Sequence, residues 1–182
     1  LFRDFAGVTD QNLQAEASQW TLSDPSGTEY EIGIVSCLPD KAIAKPDTLP
    51  IGTTLRKAFD GLEDHNILRF YVQMYYLGNY TSQTVMIKFD DVSIEMSKVL
   101  PSSVPPPPTL PTQQCPFPPD NVKHIYYGAA PHSASSVTVE LSSNLNGADT
   151  EIYWALRNFS LVTDMSDTIS SGEIYGLNAA PY

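Results

Sequence analysis

Ile67–Tyr76 (ILRFYVQMYY) and, after a polar turn, Thr84–Phe89 (TVMIKF) place apolar side chains at every second position. Successive Cβ atoms of an extended chain point to opposite faces, so this period predicts strands with one face in a core. Working outward, Tyr30–Ser36 (YEIGIVS), Val92–Met96, Ser136–Leu141 (SVTVEL), Glu151–Leu156 and Phe159–Val162 repeat the pattern between turn residues. Helical spacing is scarce: Gln11–Trp20 (QNLQAEASQW) predicts a short helix and Leu55–Leu62 (LRKAFDGL) a turn or two. Many short strands at near-regular spacing predict an all-β protein, a jelly-roll-like β-sandwich.

Leu100–Pro119 (LPSSVPPPPTLPTQQCPFPP) interrupts the strands. Each proline ring fixes φ and removes an amide donor, so Pro105, Pro106, Pro107 and Pro108 are expected as extended polyproline II, outside any sheet. The segment divides the chain into a β-rich first part (1–99), the proline-rich stretch (100–119) and a β-rich second part (120–182). Two arrangements fit: a surface strap across one sandwich that both parts complete, or a linker between two small β domains. An internal echo accompanies this division. Phe70–Met74 leads through Gly78 and Asn79 to Thr84–Val92, and Val137–Leu141 leads through Asn146-Gly147 to Glu151–Phe159. Both read as strand, polar turn, strand.

The 182 residues are 42% hydrophobic and only 17% charged, which is a globular composition. With 21 acidic against 10 basic residues the net charge is −11, a field that repels nucleic acid and anionic membrane surfaces. No stretch is long enough to span a bilayer, so no membrane insertion is expected. The chain opens at Leu1 rather than Met and has no basic-then-apolar leader, which suggests a processed or excised product, or a sequence not read from its start. Asn79-Tyr80-Thr81 and Asn158-Phe159-Ser160 fit the N-glycosylation pattern, and Ser102, Ser103, Thr109, Thr112 and the Pro105–Pro108 run offer O-linked or hydroxyproline-linked sites. Covalent glycans imply an extracellular or cell-surface location. There Cys37 and Cys115 would pair, closing a loop that stabilises the fold by about 4 kcal/mol if the effect is on the unfolded chain; two free thiols are the alternative.

His132-Ser-Ala-Ser-Ser-Val-Thr-Val-Glu-Leu-Ser-Ser-Asn-Leu145, followed by Glu151-Ile-Tyr-Trp-Ala-Leu-Arg-Asn-Phe159, resembles a recurrent block of large extracellular repeat proteins of ciliates and other protists. Asn66–Tyr76 with Thr84–Val92 looks like the preceding hairpin of that module. The resemblance spans Asp64–Leu161 and implies a jelly-roll-like module of surface coats, adhesins or appendages. Ala155 departs from it, standing where the family commonly has glycine. The proline-rich stretch is similar to algal matrix glycoproteins of the pherophorin type, without their dense cysteine framework, and the whole is similar to natural glycoprotein fibrils.

No nucleophile elbow, zinc-binding His-Glu-x-x-His helix or phosphate loop occurs, so no enzyme is expected and no catalytic residue is named. A hydrolase would need two carboxylates set across a cleft. His65, His124 and His132 stand near strand starts as hydrogen-bonded structural groups rather than metal ligands. Asp60, Glu63 and Asp64 around Gly61, and Asp90-Asp91 between two strands, are weak calcium candidates without EF-hand spacing; no other metal or cofactor is implied. Tyr126-Tyr127-Gly128, in a loop-like context, is the candidate sugar-stacking platform. Phe2, Phe5, Ile174, Tyr175 and Leu177 make the terminal arms apolar, which suits insertion into a neighbouring subunit. The leading expectation is therefore a self-assembling subunit of an extracellular filament, coat or appendage, joined by strand edges or terminal arms. The alternative is a lectin-like, carbohydrate-binding adhesin module.

Overall fold

Leu68, Phe70, Val72 and Met74 do turn one way out of a single long strand, and the sheets are organised around them. In the computed structural model, residues 13–37, 40–44, 52–77, 84–97, 122–144 and 153–167 are described. They form one short helix, α1 (Leu13–Ala17), and the strands β1 (Thr21–Ser23), β2 (Glu29–Tyr30), β3 (Gly33–Cys37), β4 (Asp40–Ala44), β5 (Thr54–Asp60), β6 (Ile67–Leu77), β7 (Thr84–Phe89), β8 (Val92–Ser97), β9 (Val122–Pro131), β10 (Ser136–Ser143) and β11 (Tyr153–Asp164). One sheet runs β2-β1-β5-β10-β7-β8 and the other β3-β4-β11-β6-β9. The pairings are antiparallel, and the fold is an all-β, jelly-roll-like sandwich. Strands from before and after the proline-rich stretch share both sheets: β10 lies between β5 and β7, and β11 and β9 flank β6.

The core lies between the sheets. Leu55, Phe59, Ile87, Phe89, Val139 and Leu141 from the six-stranded sheet meet Leu68, Phe70, Val72, Leu156, Phe159 and Leu161 from the other. Phe70 and Phe89 touch across the interface with ring centroids 5.0 Å apart, and Phe59 and Phe159 do so at 5.8 Å. Burying each such side chain contributes about 1.5–3 kcal/mol. The helix adds Leu13 and Ala17 to this core, and its Glu16 forms a 2.7 Å ion pair with Lys57, an inward position of β5.

β11 holds its register by a bulge. Leu156 pairs with Met74 but Asn158 pairs with Gln73, so Arg157 is the extra residue. Core positions 154 and 156 are even and 159 and 161 are odd, and only an inserted residue lets both sets face inward. Asn158, Ser160, Val162 and Asp164 consequently share the outer face of that sheet.

Several sequence expectations need correction. Leu55–Leu62 is not helical: it supplies β5, because alternation of Leu55, Lys57 and Phe59 overrides the helix-prone composition. Tyr30–Ser36 is split between β2 and β3, which belong to different sheets. Neither echoed unit is a hairpin, since β6 and β7 lie in opposite sheets, as do β10 and β11. Glu151–Leu156 and Phe159–Val162 merge into β11, which begins at Tyr153. Within Gln11–Trp20, the described helix spans Leu13–Ala17.

Candidate functional site

The outer faces of the two sheets differ in chemistry. Outside the six-stranded sheet, Glu140 of β10 stands in register between Arg56 of β5 and Lys88 of β7 and pairs with both, Lys88 at 3.8 Å. Arg56 and Lys88 are 58% and 41% exposed, so this is a hydrated charge ladder. A strongly solvated surface of this kind gives a ligand little to displace water against.

Outside the five-stranded sheet the alternation of β6 presents Arg69, Tyr71, Gln73 and Tyr75. Tyr71 is flanked in register by Tyr127 of β9 and Ser160 of β11. Directly opposed residues on neighbouring antiparallel strands stand about 4.5–5.5 Å apart at Cβ, so the two tyrosines form one aromatic strip across the strands. Tyr127 is 45% exposed, the most exposed aromatic among the described residues, and Tyr71 is half-buried. One row toward the buried Tyr75, Asn158 Nδ2 donates to Gln73 Oε1 at 2.8 Å. One row the other way, Arg69 Nε donates to Asp164 Oδ2 at 2.5 Å. The hydroxyl of Ser166, then Arg69, hold the Asp164 carboxyl down at about 2. The face is therefore an aromatic strip bounded by an amide pair and an ion pair, each pre-set by the fold.

The expected sugar platform changes composition. Tyr126 and Tyr127 lie inside β9 rather than in a loop, and strand alternation sends Tyr126 into the core, where it is 0% exposed. Only Tyr127 offers a ring, and its partner is Tyr71, 56 residues earlier in the chain by the register that joins them. Sequence reasoning missed β9 because Gly128, Ala129 and Ala130 carry little β signal. Register, which pairs Tyr71 with Tyr127, is a tertiary property with no local trace.

Of the other expected sites, Asn158 is half-buried on this face. Asp60, Glu63, Asp64 and Asp91 are exposed. Asp90 is also exposed, but both its oxygens are engaged: Oδ1 accepts from the Thr138 amide at 2.9 Å and Oδ2 lies 3.1 Å from His132 Nε2. Among the described residues no cluster of three or more His, Cys, Asp or Glu is arranged to hold a metal ion. Asn79, Cys115, the proline-rich stretch with Ser102, Ser103, Thr109 and Thr112, and the arms with Phe2, Phe5, Ile174, Tyr175 and Leu177 lie outside the described residues, as does the side chain of Cys37. Among the described residues no helix is long and apolar enough to cross a membrane.

No family model and no curated protein matches the chain. Two solved structures have a similar course. TmCBM61, solved with beta-1,4-galactotriose, is 11% identical at a TM-score of 0.49, over 89% of this chain and 99% of its own. The CBM22-1 xylan-binding domain from Paenibacillus barcinonensis Xyn10C is 12% identical at a TM-score of 0.44, over 91% of this chain and 94% of its own.

Proposed function

We propose that this chain is a non-catalytic carbohydrate-binding module of an extracellular protein, and that the outer face of the five-stranded sheet is its ligand surface. The observation that carries the reading is the Tyr71–Tyr127 strip with its flanking polar pairs. Aromatic rings present a flat apolar surface to the C–H faces of a pyranose, while amide and hydroxyl groups beside them meet its hydroxyls. The net charge of −11 disfavours polyanions, so the ligand is a neutral polysaccharide. Recognition of this kind needs no metal and breaks no bond. A filament joined through Phe2, Phe5, Ile174, Tyr175 and Leu177 rests on segments outside the described residues, whereas the face reading rests on described ones.

The test is affinity electrophoresis against neutral polysaccharides, followed by calorimetry on those that retard the protein. Tyr127→Ala should weaken binding about tenfold, and Arg56→Ala on the opposite sheet should leave it unchanged. Retardation by none of the polysaccharides, or equal binding by Tyr127→Ala, would overturn the assignment.

A further inference from the structure

At one end of the sandwich the β5–β6 loop, the β7–β8 turn and the β9–β10 loop meet. Leu62 N donates to Ser135 O at 2.9 Å, His132 N to Asn66 O at 3.0 Å and Asn66 N to Asp164 O at 3.0 Å. Inside this junction sit two histidines whose ring planes lie within 11° of each other, His65 at 4% exposure and the His132 side chain at 8%. Three hydrogen bonds run through them in series. His65 Nδ1 is 2.6 Å from the Glu63 carbonyl oxygen, His65 Nε2 is 2.7 Å from His132 Nδ1, and His132 Nε2 is 3.1 Å from Asp90 Oδ2.

The donors can be counted. A carbonyl and a carboxylate only accept, so the two outer nitrogens, His65 Nδ1 and His132 Nε2, must each carry a proton. The 2.7 Å contact between the rings needs one more, placed between two facing nitrogens. Three protons on two imidazoles is one more than a neutral pair holds, so the closed series carries a single positive charge. We propose that His65 and His132 form a one-proton clasp that locks the end of the sandwich, closed when the pair carries one charge and loosened when it carries none or two.

The surroundings suit one charge. Asp60, Glu63 and Asp64 stand on the β5–β6 segment, Asp90 and Asp91 on the β7–β8 turn, and Asp164 and Asp167 at the end of β11. Among the described residues, Arg69 on β6 is bonded to Asp164. Apart from His132, the β9–β10 loop brings no titratable group. A lone positive charge is stabilised in such a field, whereas a second would face the first across 2.7 Å.

The sign follows from proton counts. On the alkaline side the native clasp holds one proton more than the two unfolded imidazoles, so stability falls as pH rises. On the acid side the unfolded pair binds two protons against the clasp's one, so stability falls as pH drops. The clasp contributes most between these limits.

Asp90→Asn separates this from general acid or base sensitivity. Asp90 has φ +49°, a conformation asparagine tolerates, and the amide oxygen can keep the bond from the Thr138 N–H. Its Nδ2 would then donate to His132 Nε2, which completes the series with two neutral rings. Urea unfolding midpoints across about pH 5 to 9 are the measurement. The native sequence should lose stability above neutrality while Asp90→Asn stays level there, and ¹⁵N NMR should show both native imidazoles changing charge in one coupled step. Parallel alkaline decline of the two proteins, a level native profile, or two independent histidine titrations would overturn the clasp.

Discussion

Lys57 Nζ lies 2.7 Å from Glu16 Oε1 with the two side chains only 6% and 9% exposed, and this pair fastens the helix to the six-stranded sheet. The ammonium also sits 5.0 Å from the Phe59 ring centroid and 5.8 Å from that of Trp20. Removing one partner strands the other charge in a site closed to water, which typically costs about 3–5 kcal/mol. Glu16→Leu and Lys57→Met should each lower the urea midpoint by about that much, and the double variant should recover most of the loss. Additive losses in the double-mutant cycle would show that the two charges are not coupled.

The bulge at Arg157 yields a second test. Deleting that residue joins Leu156 to Asn158 in unbroken alternation and keeps Phe159 and Leu161, both 0% exposed, in the core. A residue inserted between Asn158 and Phe159 would instead shift the second half of β11 and send both to the outer face. Under that insertion each loses about 1.5–3 kcal/mol of burial, and Ser160 would enter the core unpaired. Against a typical total stability of about 5–15 kcal/mol, the insertion should abolish cooperative unfolding, while the deletion should preserve it. Arg157→Ala keeps the residue count and should unfold cooperatively. Cooperative unfolding of the insertion variant would mean that the register is held elsewhere.

That bulge also marks how far the fold was legible. Apolar residues at 154 and 156 and then at 159 and 161 looked like two strands, since parity changes between them; one inserted residue accounts for the same pattern in a single strand. Burial on one face is written locally, so β6, β7 and β10 could be read from alternation. Which sheet a strand joins is decided by pairings far apart in sequence, and the supposed hairpins failed there. The site followed the same rule. Tyr127 stood out by composition, but Tyr71 became its partner only through the β6–β9 register, and the closeness of His65 to His132 came from loop packing with no sequence spacing behind it.

Acid should loosen the β1–β2 turn in a defined way. Asp24 Oδ1 accepts from the Ser26 hydroxyl at 2.6 Å, the Ser26 amide at 2.9 Å and the Thr28 amide at 3.0 Å, while Oδ2 accepts from the Tyr30 hydroxyl at 2.9 Å. The Ser26 hydroxyl bond is the largest cause that brings this carboxyl down from 3.8 to about 2. A lowered folded-state value stabilises the native turn above pH 3.8 and withdraws that support as pH falls toward about 2. The hydrogen bond that the Tyr30 hydroxyl gives to Asp24 raises the Tyr30 phenol above its ordinary value. Carboxyl NMR should find Asp24 titrating near 2, and Asp24→Asn should return Tyr30 toward 10 in an ultraviolet titration. An Asp24 carboxyl that titrates near 3.8, or a Tyr30 unaffected by the substitution, would remove this hub.

Asn158 joins the glycosylation pattern to the proposed ligand face, and the two uses conflict. Its Nδ2, the atom a glycan would occupy, already donates to Gln73 Oε1 at 2.8 Å, one row from the Tyr71–Tyr127 strip. A covalent glycan there would stand over the tyrosines and compete with a bound polysaccharide at a local concentration no free ligand reaches. Production in a host that does not glycosylate omits the glycan while leaving Asn158, Ser160, Gln73 and both tyrosines in place. Produced in a glycosylating host and passed over a column of the recognised polysaccharide, molecules occupied at Asn158 should flow through. Unoccupied molecules and protein from the non-glycosylating host should be retained, with peptide mass spectrometry reading occupancy in each fraction. Retention of occupied molecules to the same extent would place the ligand away from this face, because no polysaccharide could stack on Tyr127 beneath a glycan rooted at Asn158.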